Sequence, residues 1–239
     1  MFYIIRKMLS YSLNNPNNFE IQTDEYDIIP FGYRCASAVA CKHANMRKYS
    51  LPFDWTIPLY PNKIRQILEN DFSDFIPNVH KNIFVNKYNI ELAHFNENKI
   101  DGVKEYERRI ERFNKIINGP NKIYFVYINA DYPHDKRYRE HTFINKAFYD
   151  MLKLEQYIKS KYVNINYNIL YFDFKKWNIP KDSNIINIVL QTDTLYDRQS
   201  LSSVTQYWNY CGEILSELFT TKFVKCGDNE LSQHSYFQN

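Results

Sequence analysis

Residues 122–128 read KIYFVYI, a near-continuous run of apolar and aromatic side chains. Such a run predicts a strand buried on both faces, because a half-exposed strand alternates apolar with polar residues. Three more stretches have strand character, DIIPF at 27–31, NILYFDF at 168–174 and NIINIVLQ at 184–191. Strands buried on both faces are typical of a sheet that carries helices on both sides.

Helical patterns separate these strands. In VKEYERRIERFNKIIN at 103–118, the apolar residues fall on one helical face, namely Val103, Tyr106, Ile110, Phe113 and Ile117. Helices are predicted over 35–46, 61–70, 103–118, 143–158 and 203–219. This alternation predicts an α/β fold, in which a central, mainly parallel sheet is flanked by helices in three layers.

The predicted domain organisation is simple. A chain of 239 residues suits one large domain, and the sequence contains no internal repeat or low-complexity linker. We therefore expect an irregular N-terminal extension over 1–25, a single domain over 26–224 and a polar tail over 225–239.

Composition and charge limit the classes of partner. The net charge of +3 comes from 30 basic and 27 acidic residues, which does not favour nucleic acid. The opening stretch MFYIIRKMLSYSL is too short and too charged to predict a membrane span. No secretory signal precedes the cysteines, so we expect reduced thiols in a cytoplasmic protein that binds neither membrane nor nucleic acid. The sequence leaves the oligomeric state unknown.

The strongest candidate for chemistry is Cys35, in FGYRCASAVACKHANMRKYSLPFDW at 31–55. A strand, a turn at Gly32, the cysteine and an Ala-rich helix follow one another. At the start of a helix, unpaired N–H groups and the helix dipole favour a thiolate, and the same N–H groups can hold an oxyanion. The alternative is a small buried residue that packs the helix against the sheet.

A cysteine nucleophile requires a base and an orienting group. His94 ends the predicted strand or hairpin at 82–95 and follows the cysteine in chain order, although it also suits a structural, hydrogen-bonded histidine. Asn129 and Asp131 follow the strand at 122–128, and Asp54 lies in PFDW. Each of these three is a candidate to orient an imidazole. The alternatives are that Asp131 caps a turn and that Asp54 holds its own loop.

The combination of FGYRCASA, SLPFDW at 50–55 and YERRIERF at 106–113 resembles a family of papain-like cysteine peptidases, once described only as a domain of unknown function. The resemblance covers about 28–220. It implies a Cys–His hydrolase of peptides, amides or esters, with Cys35 as nucleophile and His94 as base. It also implies the alternative fold, a papain-like α+β protein with a helical lobe and a β lobe. Family members often carry Asp after the histidine, where this chain has Phe95.

Six residues near these motifs are candidates for binding a peptide or small-molecule substrate: Gly32, Arg34, Asp54, Trp55, Arg109 and Arg112. The arginines of YERRIERF either bind an anionic group at a cleft or form an ordinary solvated face. We expect no cofactor and no metal, because the cysteine spacings do not match a zinc site. Two other functions stay open: an enzyme that processes sugars or nucleotide-sugars, with a structural cysteine, and a non-catalytic binding protein on a degenerate hydrolase fold.

Overall fold

The computed structural model describes residues 11–15, 21, 24–32, 35–57, 59–77, 85–92, 95, 99–129, 142–190 and 204–220. Within these residues the strands are β1 (Tyr11–Asn14), β2 (Tyr26–Pro30), β3 (Thr56–Ile57), β4 (Glu91–Leu92), β5 (Lys122–Ile128), β6 (Tyr167–Asp173) and β7 (Ile185–Leu190). The helices are α1 (Ala36–His43), α2 (Pro61–Glu69), α3 (Lys99–Ile117), α4 (Thr142–Lys161) and α5 (Val204–Thr220).

A five-stranded mixed sheet forms the centre of the fold, in the order β1-β7-β6-β5-β2. Strands β2, β5, β6 and β7 run parallel, and β1 pairs antiparallel with β7. In β5, every residue after Lys122 is buried, as the apolar run predicted. The prediction of an α/β sheet flanked by helices is therefore confirmed, although the sheet is only partly parallel.

Helices cover both faces of the sheet and create three layers. On one face, Phe125 and Tyr127 of β5 share a core with α2, α3 and α4. On the other, Tyr124 and Val126 share a core with α1 and α5. Each large apolar side chain that is fully buried contributes about 1.5–3 kcal/mol. This layering differs from the helical lobe and β lobe that the resemblance implies.

Helices α1 and α5 approach closely at Gly212. A Cβ added to this residue would lie 2.7 Å from the carbonyl oxygen of Ala40 and 2.9 Å from Cβ of His43. Only glycine leaves room for this contact between the two helices. Gly212 therefore helps to hold α1 in place against the sheet.

Residues 1–25 were predicted to be irregular, and for 11–14 this prediction is wrong. These residues form β1, with Tyr11 opposite Leu190 and Asn14 opposite Asn187. The Asn14 Nδ2 also donates to the carbonyl oxygen of Trp177 at 2.6 Å. All four residues are only half-buried, so the strand lacks the alternation that would have revealed it.

The loop that contains PFDW is anchored by an aromatic cluster. Phe53 is fully buried, and its ring centroid lies 5.4 to 5.8 Å from the rings of Phe31, Phe72, Phe75 and Phe113. The loop leads into β3, which pairs antiparallel with β4. Of the region predicted as a strand or hairpin, the described part contains β4 and a single bridge between Val85 and Glu91.

None of the helices within the described ranges is both long enough and apolar enough to cross a membrane.

Candidate functional site

The arrangement of helices around β2 and β5 points to a crevice at the carboxyl ends of these two strands. β2 and β5 are neighbours in the sheet. The chain leaves β2 for α1 on one face, whereas α4, the next described helix after β5, covers the other face. Ligand sites of open α/β sheets lie where neighbouring strands diverge in this way. This crevice is therefore the first place to look for function.

Cys35 lies beside this crevice, directly before the first residue of α1. Its backbone is helical (φ −74°, ψ −3°), and its carbonyl oxygen accepts a hydrogen bond from the Val39 N–H at 2.9 Å. The N–H groups of a first helical turn have no acceptor within the helix, and their dipoles favour an anion. Cys35 therefore has the local setting predicted for a nucleophile.

The other two described cysteines differ from Cys35 in exposure. Cys35 is partly exposed, whereas Cys41 and Cys211 are completely buried. Burial raises the pKa of both buried thiols well above the ordinary range of a cysteine. Reactivity of a cysteine requires a thiolate and access. Cys35 alone among these three thiols combines a helix start with access to solvent.

Ser37 fixes the first turn of α1 to the sheet. Its buried hydroxyl accepts from the N–H of Ile128 at 3.2 Å and donates to the carbonyl oxygen of Phe31 at 3.4 Å. These two groups belong to the ends of β5 and β2. The hydroxyl therefore ties the start of α1 to both sides of the crevice.

Asp54 holds the PFDW loop together. Its Oδ2 accepts hydrogen bonds from Nε and Nη2 of Arg47 at 2.9 and 2.5 Å, and from the Leu51 N–H at 3.0 Å. Burial raises the pKa of this carboxyl group, and the Arg47 guanidinium opposes that rise. The same guanidinium lies 5.6 Å from the Trp55 ring centroid. Asp54 thus has the loop-holding role that the sequence left open.

A buried tyrosine and a buried arginine lie side by side on α3. The Arg109 guanidinium is 4.5 Å from the Tyr106 ring centroid, and Nη2 pairs with Glu105. Arg109 is only 6% exposed, so a solvated face is the wrong description of this residue. By contrast, Arg108 is exposed. Arg112 is half-buried and donates to the Ser50 carbonyl oxygen at 3.2 Å, which ties α3 to the loop before PFDW.

The electrostatics of Tyr106 connect α3 with the crevice. Burial raises the pKa of the Tyr106 phenol to about 12, and the Arg109 guanidinium partly opposes the rise. Smaller contributions that raise this pKa come from Glu105, Asp54 and Cys35. Arg109, Asp54 and Cys35 therefore lie within electrostatic range of one phenol oxygen.

A second polar group lies at the ends of β5 and β6. Asn129 Nδ2 donates to Asp173 Oδ2 at 3.1 Å, and the Trp177 indole N–H donates to the same oxygen at 2.7 Å. Asp173 Oδ1 accepts from the Phe174 N–H at 2.7 Å. Burial raises the pKa of Asp173, and these hydrogen bonds oppose the rise. Asn129, predicted to orient an imidazole, is thus engaged with Asp173.

Sequence reasoning missed Tyr106 as a polar site residue and missed Asp173 entirely. A signal existed for both. Tyr106 and Arg109 are spaced to share a helical face with Phe113, and Asp173 is the only charged residue in NILYFDF. A charge at the end of an apolar strand indicates a polar site at the edge of a sheet.

Three predicted site residues, Arg34, His94 and Asp131, lie outside the described residues, so their roles stay predictions. Gly32 is buried and lies two residues after the end of β2. Phe95, which follows His94 in the chain, stacks on Tyr106 with ring centroids 5.7 Å apart.

The fold and site together define the chain as a layered α/β protein with an accessible thiol at a helix start. The part of the chain that the structure describes contains no group of three His, Cys, Asp or Glu side chains arranged to hold a metal. No known family model matches the chain, and comparisons with curated proteins and with solved structures also yield no match.

Proposed function

We propose that the protein is a thiol hydrolase or acyl-transfer enzyme in which Cys35 is the nucleophile. The observation that carries this proposal is the position of Cys35, which is partly exposed where α1 begins. The two buried thiols serve as an internal contrast. At Cys35, the helix dipole and the N–H groups of the first turn of α1 favour a thiolate.

The reaction follows from these groups. His94 takes the proton of the Cys35 thiol. The thiolate then attacks the carbonyl carbon of a peptide, amide or ester, and a C–S bond forms. The N–H groups of the first turn of α1 stabilise the oxyanion. The leaving amine or alcohol takes a proton from His94 and departs, which leaves a thioester. Water that is deprotonated by His94 then releases the acid and the thiol, or another acceptor takes the acyl group instead.

His94 has this role because of its chain order and the family resemblance. The contact of the next residue, Phe95, with Tyr106 supports it, since the Tyr106 phenol lies within electrostatic range of Cys35.

The test is the pH dependence of alkylation of the full chain by iodoacetamide, with each cysteine quantified by peptide mass spectrometry. We expect Cys35 to react with an inflection below the ordinary thiol pKa of about 8.5, and His94→Ala to move that inflection upward. Cys211 provides the buried reference. A Cys35 profile with no inflection below this value contradicts an activated nucleophile and leaves a non-catalytic binding protein as the better description.

A further inference from the structure

Arg109 is a buried cation whose hydrogen-bonding capacity is mostly unused. A guanidinium carries five N–H donors, and buried donors in folded proteins almost always have acceptors. Only Nη2 has one here, the carboxylate of Glu105. Nε and Nη1 are fully buried and have no acceptor within the described parts of the chain. A buried guanidinium in this condition is costly unless a further acceptor is supplied.

The neighbouring charges leave a positive excess around Arg109. The guanidinium of Arg47 is paired with Asp54, and that of Arg112 donates to a backbone carbonyl. Glu105, the ion-pair partner of Arg109, has a side chain that is 38% exposed, so water weakens its effect. The three guanidinium groups of Arg47, Arg109 and Arg112 thus pair with only two carboxylates, Asp54 and Glu105, which favours an additional anion.

The hydroxyl of Tyr106 adds a further donor to this set. It is fully buried, and none of the described residues accepts from it or donates to it. The Arg109 guanidinium lies over the same ring, at 4.5 Å. Arg109 and Tyr106 thus present N–H and O–H donors that have no acceptor among the described residues. The Tyr106 phenol also lies within electrostatic range of Cys35.

We propose that Arg109 and Tyr106 bind an anionic oxygen group, carboxylate or phosphate, on the substrate that Cys35 attacks. This inference rests on the proposed role of Cys35 and adds the substrate class to it. The two side chains act as specificity-determining residues. They orient an acidic substrate through charge-assisted hydrogen bonds, and the thiol performs the covalent step.

The experiment compares two alkylating reagents of nearly equal shape, iodoacetate, which carries a carboxylate, and neutral iodoacetamide. The rate ratio of the two at Cys35 reports recognition of the anion, because the intrinsic reactivity of the thiol cancels. We expect Arg109→Gln to lower the ratio of iodoacetate to iodoacetamide about tenfold, since a hydrogen bond to a charged group accounts for at least that factor.

Arg108→Gln is the matched control. Arg108 is adjacent in sequence, loses the same charge and is exposed. We expect its ratio to change by less than about twofold, because exposed charges are screened. Equal effects of the two substitutions overturn the proposal, since the ratio would then report only overall charge.

Tyr106→Phe keeps the test valid if Arg109→Gln does not fold. It removes a buried hydroxyl that lacks a partner among the described residues and retains the ring, so folding is preserved. The reagent ratio should fall in this variant too. An unchanged ratio in Tyr106→Phe and in any folded Arg109→Gln protein overturns the assignment.

Thermal unfolding with inorganic phosphate or acetate separates the two anion sources and is independent of thiol reactivity. Either anion should raise the melting temperature of the wild type and of Arg108→Gln, but not that of Arg109→Gln. A larger response to acetate assigns a carboxylate, and a larger response to phosphate assigns a phosphate. If Cys35 is unreactive while the Arg109-dependent shift remains, the proposed nucleophile fails and the anion site stands. No shift with either anion counts against the site.

Discussion

Replacing Arg47 with methionine tests whether its ion pair with Asp54 holds the PFDW loop. Asp54 is completely inaccessible, whereas the Arg47 side chain is 16% exposed. The substitution retains much of the aliphatic stem and removes both hydrogen bonds to Oδ2. One carboxylate then remains buried with the Leu51 N–H as its donor.

The expected loss of unfolding free energy at pH 7 is about 3–4 kcal/mol, because removal of one partner leaves an uncompensated buried charge. The hydrogen bond from Arg47 Nη2 to the Ser50 hydroxyl is lost as well. The 16% exposure of Arg47 places the value toward the lower end of the range for buried pairs. Comparable changes at exposed pairs cost about 0.3–0.5 kcal/mol.

The loss should depend on pH, with a sign set by the raised pKa of Asp54. Burial raises this pKa above the ordinary value of an aspartate, and Arg47 opposes the rise. The folded protein therefore binds more protons than the unfolded chain between the two pKa values, so stability falls as pH rises through this window. Without Arg47 the folded pKa rises further and the window extends upward. The difference in unfolding free energy between Arg47→Met and the wild type is thus small near about pH 4. It is largest above the raised pKa of Asp54 in the variant.

Urea unfolding monitored by tryptophan fluorescence at several pH values measures this effect. With a slope of about 3 kcal/mol/M, the midpoint at pH 7 should fall by about 1 M. Arg65→Met is the matched control, because Arg65 pairs with Glu69 on the surface of α2. Equal losses in the two variants, or a loss in Arg47→Met that does not vary with pH, would refute the reasoning.

Two further predictions concern the framework around the site. Gly212→Ala should reduce stability by about 1–3 kcal/mol in thermal unfolding, because the added Cβ would meet the carbonyl oxygen of Ala40 at 2.7 Å. An unchanged melting temperature would show that α1 and α5 can move apart without loss of stability. Asp173→Asn should cost about 2 kcal/mol and shift the fluorescence of Trp177, because the single amide oxygen cannot replace both carboxylate oxygens, one of which accepts from Asn129 and the indole and the other from the Phe174 N–H. A variant with wild-type emission would contradict this arrangement.

Local patterns predicted most of the fold. β5 was predicted at its observed bounds, Lys122–Ile128, because burial on both faces leaves an apolar run that no exposed segment imitates. α2 begins at Pro61, as the fixed φ of proline at a first helical position predicts. β1 was missed because its pairing with β7 is a tertiary contact. The half-buried residues Tyr11–Asn14 carry no pattern of their own.

The candidate site was predictable where it depends on residues that are close in sequence. Cys35 at the start of α1 follows from nearby residues, since Gly32 and the Ala-rich run are adjacent to it. The surroundings of Arg109 depend instead on a loop more than fifty residues away in sequence. Its shared face with Tyr106 indicated burial, but no local pattern indicates that Asp54 and Cys35 both act on the pKa of the Tyr106 phenol.

The pairing of β1 with β7 determines the order in which the sheet can be completed during translation. Asn14 and its partner Asn187 are 173 residues apart. A ribosome that adds about 5–20 residues per second needs roughly 9 to 35 s for that stretch. β1 therefore has no pairing partner until β7 has been synthesised. The outer edge of β7 can be covered only after nearly the whole sheet has left the ribosome.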